Sequence, residues 1–275
     1  MPYFLILRPI NFFSVLITVL FGALFRNKIP FNLNILFAMI SASLISGAGY
    51  VINDFFDLKI DVVNRPNRVI PSGRISPKAA YLYSVFLFVL GIITSYLTAN
   101  IYCVIMAIIN SLLLFLYARY YKKTLLAGNL IVSYSAFSCF IYGGLTAGNL
   151  KNSFILGLFA FLFTFIREIV KDAEDIEGDR QFGVRSLAIY AGKKVVIWTS
   201  SFFVLLITIL FLYLYKIQFF SITILLLSFL LITVPLTFIM RFLYANIDSK
   251  QAFSRSSTLL KVDMLVFLVI VIIGS

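Results

Sequence analysis

Two acidic motifs carry most of the carboxylate groups of this chain, which has 275 residues, 11 acidic side chains and no histidine. The first motif runs from Asn53 to Asp61, and the second runs from Asp172 to Asp179, with Glu168 one helical turn before it. Together they hold nine of the 11 acidic residues. Carboxylates at this density repel one another unless a cation lies between them. With no imidazole available, the motifs predict a hard, oxygen-bound ion, and Mg²⁺ is the ion that carboxylates and phosphates commonly bind together.

The two motifs repeat one spacing, D-x-x-D-x-x-x-D. The matched pairs lie 118 residues apart and are Asp54 with Asp172, Asp57 with Asp175, and Asp61 with Asp179. Spacings of three and four residues place side chains on one face of a helix. Asn53 adds a neutral amide oxygen, four residues before Asp57. We therefore predict metal ligands among Asn53 and these aspartates, and a weak internal duplication of the chain. A solvated acidic helix end is the alternative interpretation of either motif taken singly.

A basic segment follows the first motif. It contains Arg65, Arg68 and Arg74, interleaved with prolines and Gly73. Guanidinium groups form rigid forks that match phosphate oxygens. Prolines stiffen a loop and glycine permits a tight turn, so we predict an ordered, phosphate-binding loop. The excess of basic residues in the cytoplasmic loops of membrane proteins is the alternative explanation.

Further cations lie at the end of the fourth apolar segment and after the second motif. Arg119, Lys122 and Lys123 stand at that end, beside Tyr117, and Arg180 and Arg185 follow the second motif. Basic side chains beside acidic motifs suit a diphosphate, because a metal ion neutralises its oxygens while Arg and Lys stabilise charge on the leaving group. Snorkelling of cations from helix ends to the membrane interface explains these positions equally well.

The composition indicates that membrane helices position these motifs. Hydrophobic residues make up 61% of the chain, charged residues 12%, and the mean hydropathy is +1.02. A spanning helix needs about 20 apolar residues. We predict an all-α, polytopic membrane protein with nine such segments. Their predicted bounds are 10–26, 33–56, 79–98, 100–120, 126–147, 153–173, 194–214, 219–241 and 257–274.

The basic residues set the predicted topology. With nine spans and the N-terminus inside, 19 of the 23 Lys and Arg residues fall on the cytoplasmic side. The other four are Arg26, Lys28, Lys151 and Lys216. This asymmetry predicts a cytoplasmic N-terminus and an external C-terminus. Both acidic motifs then lie at the cytoplasmic face, at the ends of spans two and six, where we expect them to meet across a shared pocket.

The remaining composition excludes several other classes of partner. The net charge of +12 belongs to membrane loops rather than to a soluble basic domain, so we predict membrane lipids and no nucleic acid as partners. Cys103 and Cys139 lie in apolar runs and are typical of small buried residues. The 30 Phe and 15 Tyr residues could stabilise an allylic cation through their ring faces, or could simply pack in the membrane.

At these motifs the sequence resembles the UbiA-type intramembrane prenyltransferases. The family signature N-D-x-x-D-x-x-x-D followed by N-R-P-x-R stands at Asn53 to Arg68, and D-x-x-D-x-x-G-D stands at Asp172 to Asp179. Val69 departs from the proline that many relatives carry there. The resemblance implies one transmembrane domain over residues 1–275, with nine helices ringed around a central cavity under cytoplasmic cap loops. Its repeats would be spans 1–4 and 5–8, followed by span 9.

The resemblance also implies roles for individual residues. Asn53, Asp57 and Asp61 would hold one Mg²⁺, and Asp172, Asp175 and Asp179 a second. Asp54 is a further metal candidate. The predicted diphosphate-binding residues are Arg65, Arg68, Arg74, Lys122, Lys123 and Lys171. The predicted substrate-binding residues are Arg8, Asn11, Tyr117 and Asn129.

The second motif refines the resemblance. Lys171 to Gly183 reads K-D-x-E-D-x-x-G-D-x-x-x-G, which is similar to both the archaeal ether-lipid branch and the chlorophyll synthase-like branches of the family. The length of 275 residues resembles the archaeal ether-lipid branch. That branch implies transfer of a geranylgeranyl group from geranylgeranyl diphosphate to a lipid acceptor, geranylgeranylglyceryl phosphate, giving the digeranylgeranyl product in phospholipid synthesis.

Three alternatives stand beside this interpretation. A prenyltransferase with an aromatic acceptor, as in quinone pathways, would share the diphosphate half of the site. A CDP-alcohol phosphotransferase would need a D-G-x-x-A-R run, which this sequence lacks. A cation transporter would place carboxylates near the middle of several spans. The acceptor, prenyl chain length, regiochemistry and oligomeric state stay open.

Overall fold

The structure is a computed structural model that describes residues 1–27, 29–181 and 183–273. Predictions that involve Lys28, Phe182 or residue 274 lie outside the described residues, and so do those for the side chains of Asn64 and Gln181. The described ranges are mostly helical and contain no β-strand. The prediction of an all-α fold is therefore confirmed.

Fourteen α-helices follow one another along the described chain. The first eight are α1 (Pro2–Leu5), α2 (Pro9–Leu24), α3 (Leu33–Phe56), α4 (Leu58–Asn64), α5 (Pro77–Tyr96), α6 (Ile101–Arg119), α7 (Ala127–Thr146) and α8 (Leu150–Glu174). The others are α9 (Ile176–Gln181), α10 (Leu187–Ala191), α11 (Lys193–Lys216), α12 (Ile222–Ser228), α13 (Val234–Ala245) and α14 (Lys250–Ile273). A 3₁₀ turn, Tyr121–Lys123, follows α6, and a π-helical turn, Phe229–Thr233, joins α12 to α13.

Seven helical segments of the described chain are long and apolar enough to cross a bilayer, by length and composition. They are α3, α5, α6, α8, α11, the continuous segment Ile222–Ala245, and α14. Helix α2 is apolar but has only 16 residues, and α7 is richer in Ser and Gly. Large apolar side chains such as Phe86, Leu112, Phe238 and Leu265 are exposed on the long helices. Apolar surface of this extent is stable in lipid rather than in water, so the chain is an integral membrane protein.

The chain divides into two compact units. Unit 1 comprises Met1–Lys122 with Tyr134–Leu158, and unit 2 comprises Lys123–Ser133 with Phe159–Ser275. Each acidic motif therefore belongs to a different unit: the first motif lies in unit 1 and the second in unit 2.

Helix α3 lies at the centre of unit 1 and packs against α2, α5 and α6. The close packing of α5 against α3 requires a small residue at Gly91, because a Cβ there would come too close to Ile45 and to the backbone of α3. The buried hydroxyl of Ser41 donates to the Gly91 carbonyl (2.7 Å) and forms a hydrogen bond with the Tyr142 hydroxyl (2.8 Å). These contacts fix α3, and they thereby position the acidic motif at its C-terminal end.

Aromatic packing holds the long helices of unit 2. The Phe159 ring of α8 lies 4.6 Å from Phe211 of α11 and 4.5 Å from Phe267 of α14, measured between ring centroids. Pro235, in the predicted eighth span, is the second residue of α13, which begins directly after the π-helical turn. Proline cannot donate a backbone hydrogen bond, so an irregular turn just before it is expected.

Candidate functional site

Both acidic motifs have the same backbone architecture. Each long helix ends one residue before the middle aspartate, Asp57 or Asp175, and a short helix begins one residue after it. Backbone hydrogen bonds continue across the break, from the Asp61 amide to the Asp57 carbonyl (2.8 Å) and from the Asp179 amide to the Asp175 carbonyl (2.9 Å). The single helical stripe predicted from the spacing is thus two helices with a break at the middle aspartate.

The break in the first motif brings an amide, a carboxylate and an ammonium group together. The Asn53 Nδ2 donates to Asp57 Oδ2 (2.9 Å), and Lys122 Nζ forms an ion pair with Asp57 Oδ1. Within the described chain, the buried Asn53 Oδ1 has no hydrogen-bond partner. A buried polar oxygen without a partner is costly, so this atom is suited to a ligand.

A second cluster of charges joins three segments of unit 1. Asp54 Oδ1 accepts hydrogen bonds from Arg8 Nη2 (2.7 Å) and from Arg68 Nη1 (3.1 Å). The same Arg68 nitrogen donates to Asp61 Oδ2 (2.6 Å). Both carboxylates are buried, with side chains 9% and 6% exposed. The two arginines and two aspartates therefore balance one another in a partly dry environment.

Arg8 is also held by an aromatic residue that the sequence interpretation missed. Its guanidinium carbon lies 4.9 Å from the centroid of the Tyr50 ring. The Tyr50 hydroxyl has Asn11 and Ser46 as hydrogen-bonding neighbours. Arg8 itself adopts a left-handed backbone conformation (φ 54°) at the start of α2, which is uncommon for a residue other than glycine. The signal for Tyr50 was its place one helical turn before Asn53, on the same side of α3.

The basic loop after the first motif is ordered, as predicted, although not all its arginines reach the acidic residues. Val69, Ile70 and Ile75 are buried in the core of unit 1. Arg74 is exposed and fastens the loop itself, donating to the Asn67 carbonyl (2.6 Å) and to Ser72 Oγ (2.9 Å). Gly73 makes the turn with a left-handed φ of 75°.

The second motif holds its first aspartate through a buried amide. Asn129 Nδ2, from the first turn of α7, donates to Asp172 Oδ2 (2.8 Å). Glu174 Oε2, on the same turn of α8, accepts from Ser257 Oγ of α14 (3.1 Å). Unit 2 therefore contains both the predicted substrate residue Asn129 and the predicted metal residue Asp172, in direct contact.

Cations lie close to the second motif along the chain. Lys171 is on the last turn of α8. Arg167 pairs with its neighbour Glu168 one turn before Asp172. The Arg185 amide donates to the Lys123 carbonyl (2.9 Å), which ties the segment after α9 to the 3₁₀ turn. The side chains of Lys123 and Arg185 are exposed.

The predicted site residues thus differ in their contacts and in their exposure. Arg8, Arg68 and Lys122 lie against aspartates of the first motif. Arg65 is exposed, and its backbone amide caps α4 by donating to the Asp61 carbonyl (2.8 Å). Tyr117 is half-buried on the last turn of α6. Among the described side chains, no three carboxylates or thiols converge closely enough to form a metal site on their own.

The family of the chain follows from comparison with known proteins. A model of the UbiA prenyltransferase family matches residues 15–262. The chain therefore belongs to the UbiA prenyltransferase family and is an intramembrane prenyltransferase.

Individual relatives agree with this assignment. A digeranylgeranylglyceryl phosphate synthase from Methanothermobacter thermautotrophicus is 42% identical over 194 residues, which cover 70% of this chain and 68% of the relative. The enzyme of the same name from Methanosphaera stadtmanae is 34% identical over 275 residues, covering 100% and 99% of the two chains.

Solved structures show the same fold. A structure reported as "Structural and mechanistic insights into the biosynthesis of Digeranylgeranylglyceryl phosphate synthase in membranes" has a TM-score of 0.85 and 36% identity, covering 99% of this chain and 97% of that one. A UbiA homologue from Archaeoglobus fulgidus bound to DMAPP and Mg²⁺ has a TM-score of 0.72 and 18% identity, covering 98% of this chain and 100% of that one. The second likeness concerns the fold alone.

Proposed function

We propose that this prenyltransferase transfers a geranylgeranyl group from geranylgeranyl diphosphate to geranylgeranylglyceryl phosphate, giving digeranylgeranylglyceryl phosphate for ether lipids. The names of the two relatives support this choice of substrates. The observation that carries the chemistry is the first motif, where Arg8, Arg68 and Lys122 lie directly against aspartates, beside an amide oxygen that has no hydrogen-bond partner among the described residues. Such an alternation of cations and oxygen ligands suits a metal-bound diphosphate.

The residues present fit Mg²⁺. The available donors are carboxylate and amide oxygens, which Mg²⁺ prefers. Asn53 Oδ1 is buried and has no hydrogen-bond partner within the described chain, and its own amide nitrogen is fixed to Asp57. We assign Asn53, Asp57 and Asp61 to one ion and Asp172, Asp175 and Asp179 to a second. When bound, these ions would neutralise diphosphate oxygens and so make the diphosphate a better leaving group.

The basic residues bind and orient the diphosphate in this proposal. Lys122 and Arg68 are held beside the motif by Asp57, Asp54 and Asp61, so their positions are set before substrate arrives. Preorganised cations stabilise charge that develops on a leaving group at little reorganisation cost. Arg65, Arg74, Lys123 and Lys171 complete the proposed set of phosphate contacts.

The transfer itself breaks one C–O bond and forms another. The allylic C1–O bond breaks, and the electron pair leaves with the diphosphate. The free hydroxyl of the acceptor attacks C1 and loses its proton, which the released diphosphate or water accepts. We propose that Arg8, Asn11, Tyr117 and Asn129 contact the substrates. Exclusion of water by the surrounding apolar helices would protect the allylic cation from hydrolysis.

The topology completes the proposal. We propose that all nine apolar segments span the membrane around a central cavity for the prenyl chains, with the N-terminus in the cytoplasm and the C-terminus outside. The excess of Lys and Arg on the side of the two motifs supports a cytoplasmic active site. Labelling of single cysteines at Arg74 and Lys216 from either side of the membrane tests this arrangement, because the two residues should react from opposite sides.

The substrate assignment is tested with purified protein, Mg²⁺ and labelled geranylgeranyl diphosphate. Geranylgeranylglyceryl phosphate and a prenyl-accepting aromatic acid are supplied in parallel reactions. We expect a lipid product with two geranylgeranyl chains and no aromatic product. Prenylation of the aromatic acid alone would replace this function by that of a quinone-type enzyme, and ion flux in liposomes without any prenyl transfer would replace it by transport.

A further inference from the structure

Asp54 occupies a different environment from the other acidic residues of the first motif. Its Oδ1 accepts two hydrogen bonds from guanidinium groups, one from Arg8 (2.7 Å) and one from Arg68 (3.1 Å). These arginines lie 46 residues before and 14 residues after it in the chain. A carboxylate oxygen has two acceptor sites. Both are taken at Asp54 Oδ1, so a metal ion there would have to displace two charge-assisted hydrogen bonds.

Asp54 also differs from its neighbour Asn53 in direction. Adjacent residues of a helix point about 100° apart and do not face a common partner. The Asn53 side chain contacts Asp57, whereas the Asp54 side chain contacts the two arginines. The adjacent residues Asn53 and Asp54 therefore have different partners. Asn53 points toward the Lys122–Asp57 pair, and Asp54 points toward the two arginines.

Arg68 extends the cluster across the helix break. Its Nη1 contacts Asp54 at the end of α3 and Asp61 within α4. A guanidinium group carries five N–H donors, so an arginine fixed through one nitrogen retains donors for a phosphate. Arg8 is fixed through Nη2 and stacks on Tyr50. Its side chain is still 34% exposed, which leaves it accessible to a ligand.

We propose that Asp54 is a positioning residue that holds Arg8 and Arg68 for the diphosphate of the prenyl donor, and that it is not a metal ligand. This assignment rests on the proposed function and removes one candidate from the metal set predicted from the sequence. Asn53, Asp57 and Asp61 keep their assignment to the ion, because Asp57 Oδ1, Asp57 Oδ2 and Asp61 Oδ2 each have one contact, whereas Asp54 Oδ1 has two. Loss of Asp54 then weakens diphosphate binding and leaves the dependence on Mg²⁺ unchanged.

The test compares Asp54→Asn with Asp57→Asn, and uses Asp248→Asn as a control because Asp248 is exposed and lies outside both motifs. We expect Asp54→Asn to raise the KM for geranylgeranyl diphosphate about tenfold, as for loss of hydrogen bonds between charged groups. The Mg²⁺ concentration for half-maximal activity should stay within about threefold of the wild-type value, and Asp57→Asn should raise it more than tenfold. Asp248→Asn should resemble the wild type in both measurements.

A binding measurement supplies a readout that does not require turnover. Titration with Mn²⁺, followed by its paramagnetic resonance signal in the presence of inorganic pyrophosphate, should show an unchanged number of bound ions in Asp54→Asn and a lost ion in Asp57→Asn. A lost ion in Asp54→Asn would overturn the proposal and return Asp54 to the metal set. Wild-type KM and pyrophosphate affinity in that variant would overturn it as well.

A double-mutant cycle covers the case in which Asp54→Asn fails to fold. Arg8→Gln alters a partly exposed side chain, and Asp54→Glu keeps the negative charge. If Asp54 acts through Arg8, the Arg8→Gln and Asp54→Glu effects on KM are not additive, and the double variant is within about threefold of the worse single variant. Additive effects on KM would show that Asp54 does not act through Arg8, and would overturn the positioning role.

Wild-type protein that binds Mn²⁺ and pyrophosphate without using geranylgeranyl diphosphate would refute the proposed function. The role of Asp54 would then still be measurable by pyrophosphate binding.

Discussion

Replacement of Arg68 by lysine is the perturbation whose effect the structure defines most closely. The Arg68 guanidinium joins two buried carboxylates through one nitrogen, Asp61 at 2.6 Å and Asp54 at 3.1 Å. Lysine keeps the charge, but its side chain reaches the charged nitrogen one bond sooner, so Arg68→Lys should retain a strong contact with only one of the two carboxylates. The other then loses a hydrogen bond to a charged donor, which contributes about 1.5–3 kcal/mol.

Solvent exposure decides where in that range the value falls. The Arg68 side chain is 21% exposed, so water partly compensates the lost contact, and we expect a destabilisation of about 2 kcal/mol. For a chain of this size that corresponds to a fall in the unfolding temperature of roughly 4–8 °C. Thermal unfolding of the protein in detergent, followed by scanning fluorimetry, measures the shift.

Arg65→Lys is the matched control for stability. Arg65 is three residues away in the same loop, its side chain is exposed, and its contact with Asp61 comes from the backbone amide. A substitution of this kind should change stability by less than about 0.5 kcal/mol. Equal unfolding temperatures for Arg65→Lys and Arg68→Lys would refute the bridging role of Arg68, because the reasoning assigns the difference to the two aspartate contacts.

Three further predictions concern other parts of the molecule. Asn129→Ala removes the amide that holds Asp172, and we expect kcat/KM to fall about tenfold, while Asn246→Ala at an exposed position leaves it unchanged. Chelation of divalent ions with EDTA should abolish transfer, and added Mg²⁺ or Mn²⁺ should restore it; activity that survives chelation would contradict the metal assignment. Gly143→Ala places a Cβ against the Val19 carbonyl, so it should destabilise the protein by about 1–3 kcal/mol in thermal unfolding.

The long helices could be predicted well from the sequence because apolar runs and capping residues mark their ends. Helix α3 occupies the predicted range 33–56, and the Asn32 side chain caps it by accepting from the Ile35 amide (3.1 Å). The break at Asp57 could not be predicted in this way. Spacings of three and four residues are compatible with one continuous helix and with two helices joined by a single residue, and only the folded backbone distinguishes them.

The contacts within the site were harder to predict than its residue types. Residue spacing reports neighbours within one helix, whereas Arg8 meets Asp54 across 46 residues and Asn129 meets Asp172 across 43. These pairs depend on how helices pack, which a hydrophobic pattern does not specify. Spacing also did not predict that the Arg74 guanidinium fastens its own loop to Asn67 and Ser72.

The most direct test of the central claim measures binding of geranylgeranyl thiodiphosphate, an unreactive analogue of the donor, with and without Mg²⁺. The wild-type protein and Asp248→Asn should bind it tightly only when Mg²⁺ is present. Asp57→Ala and Asp175→Ala should each remain folded and lose this Mg²⁺-dependent binding. Tight, Mg²⁺-dependent binding in either alanine variant would contradict the proposal that the aspartates at the two helix breaks bind the diphosphate through metal ions.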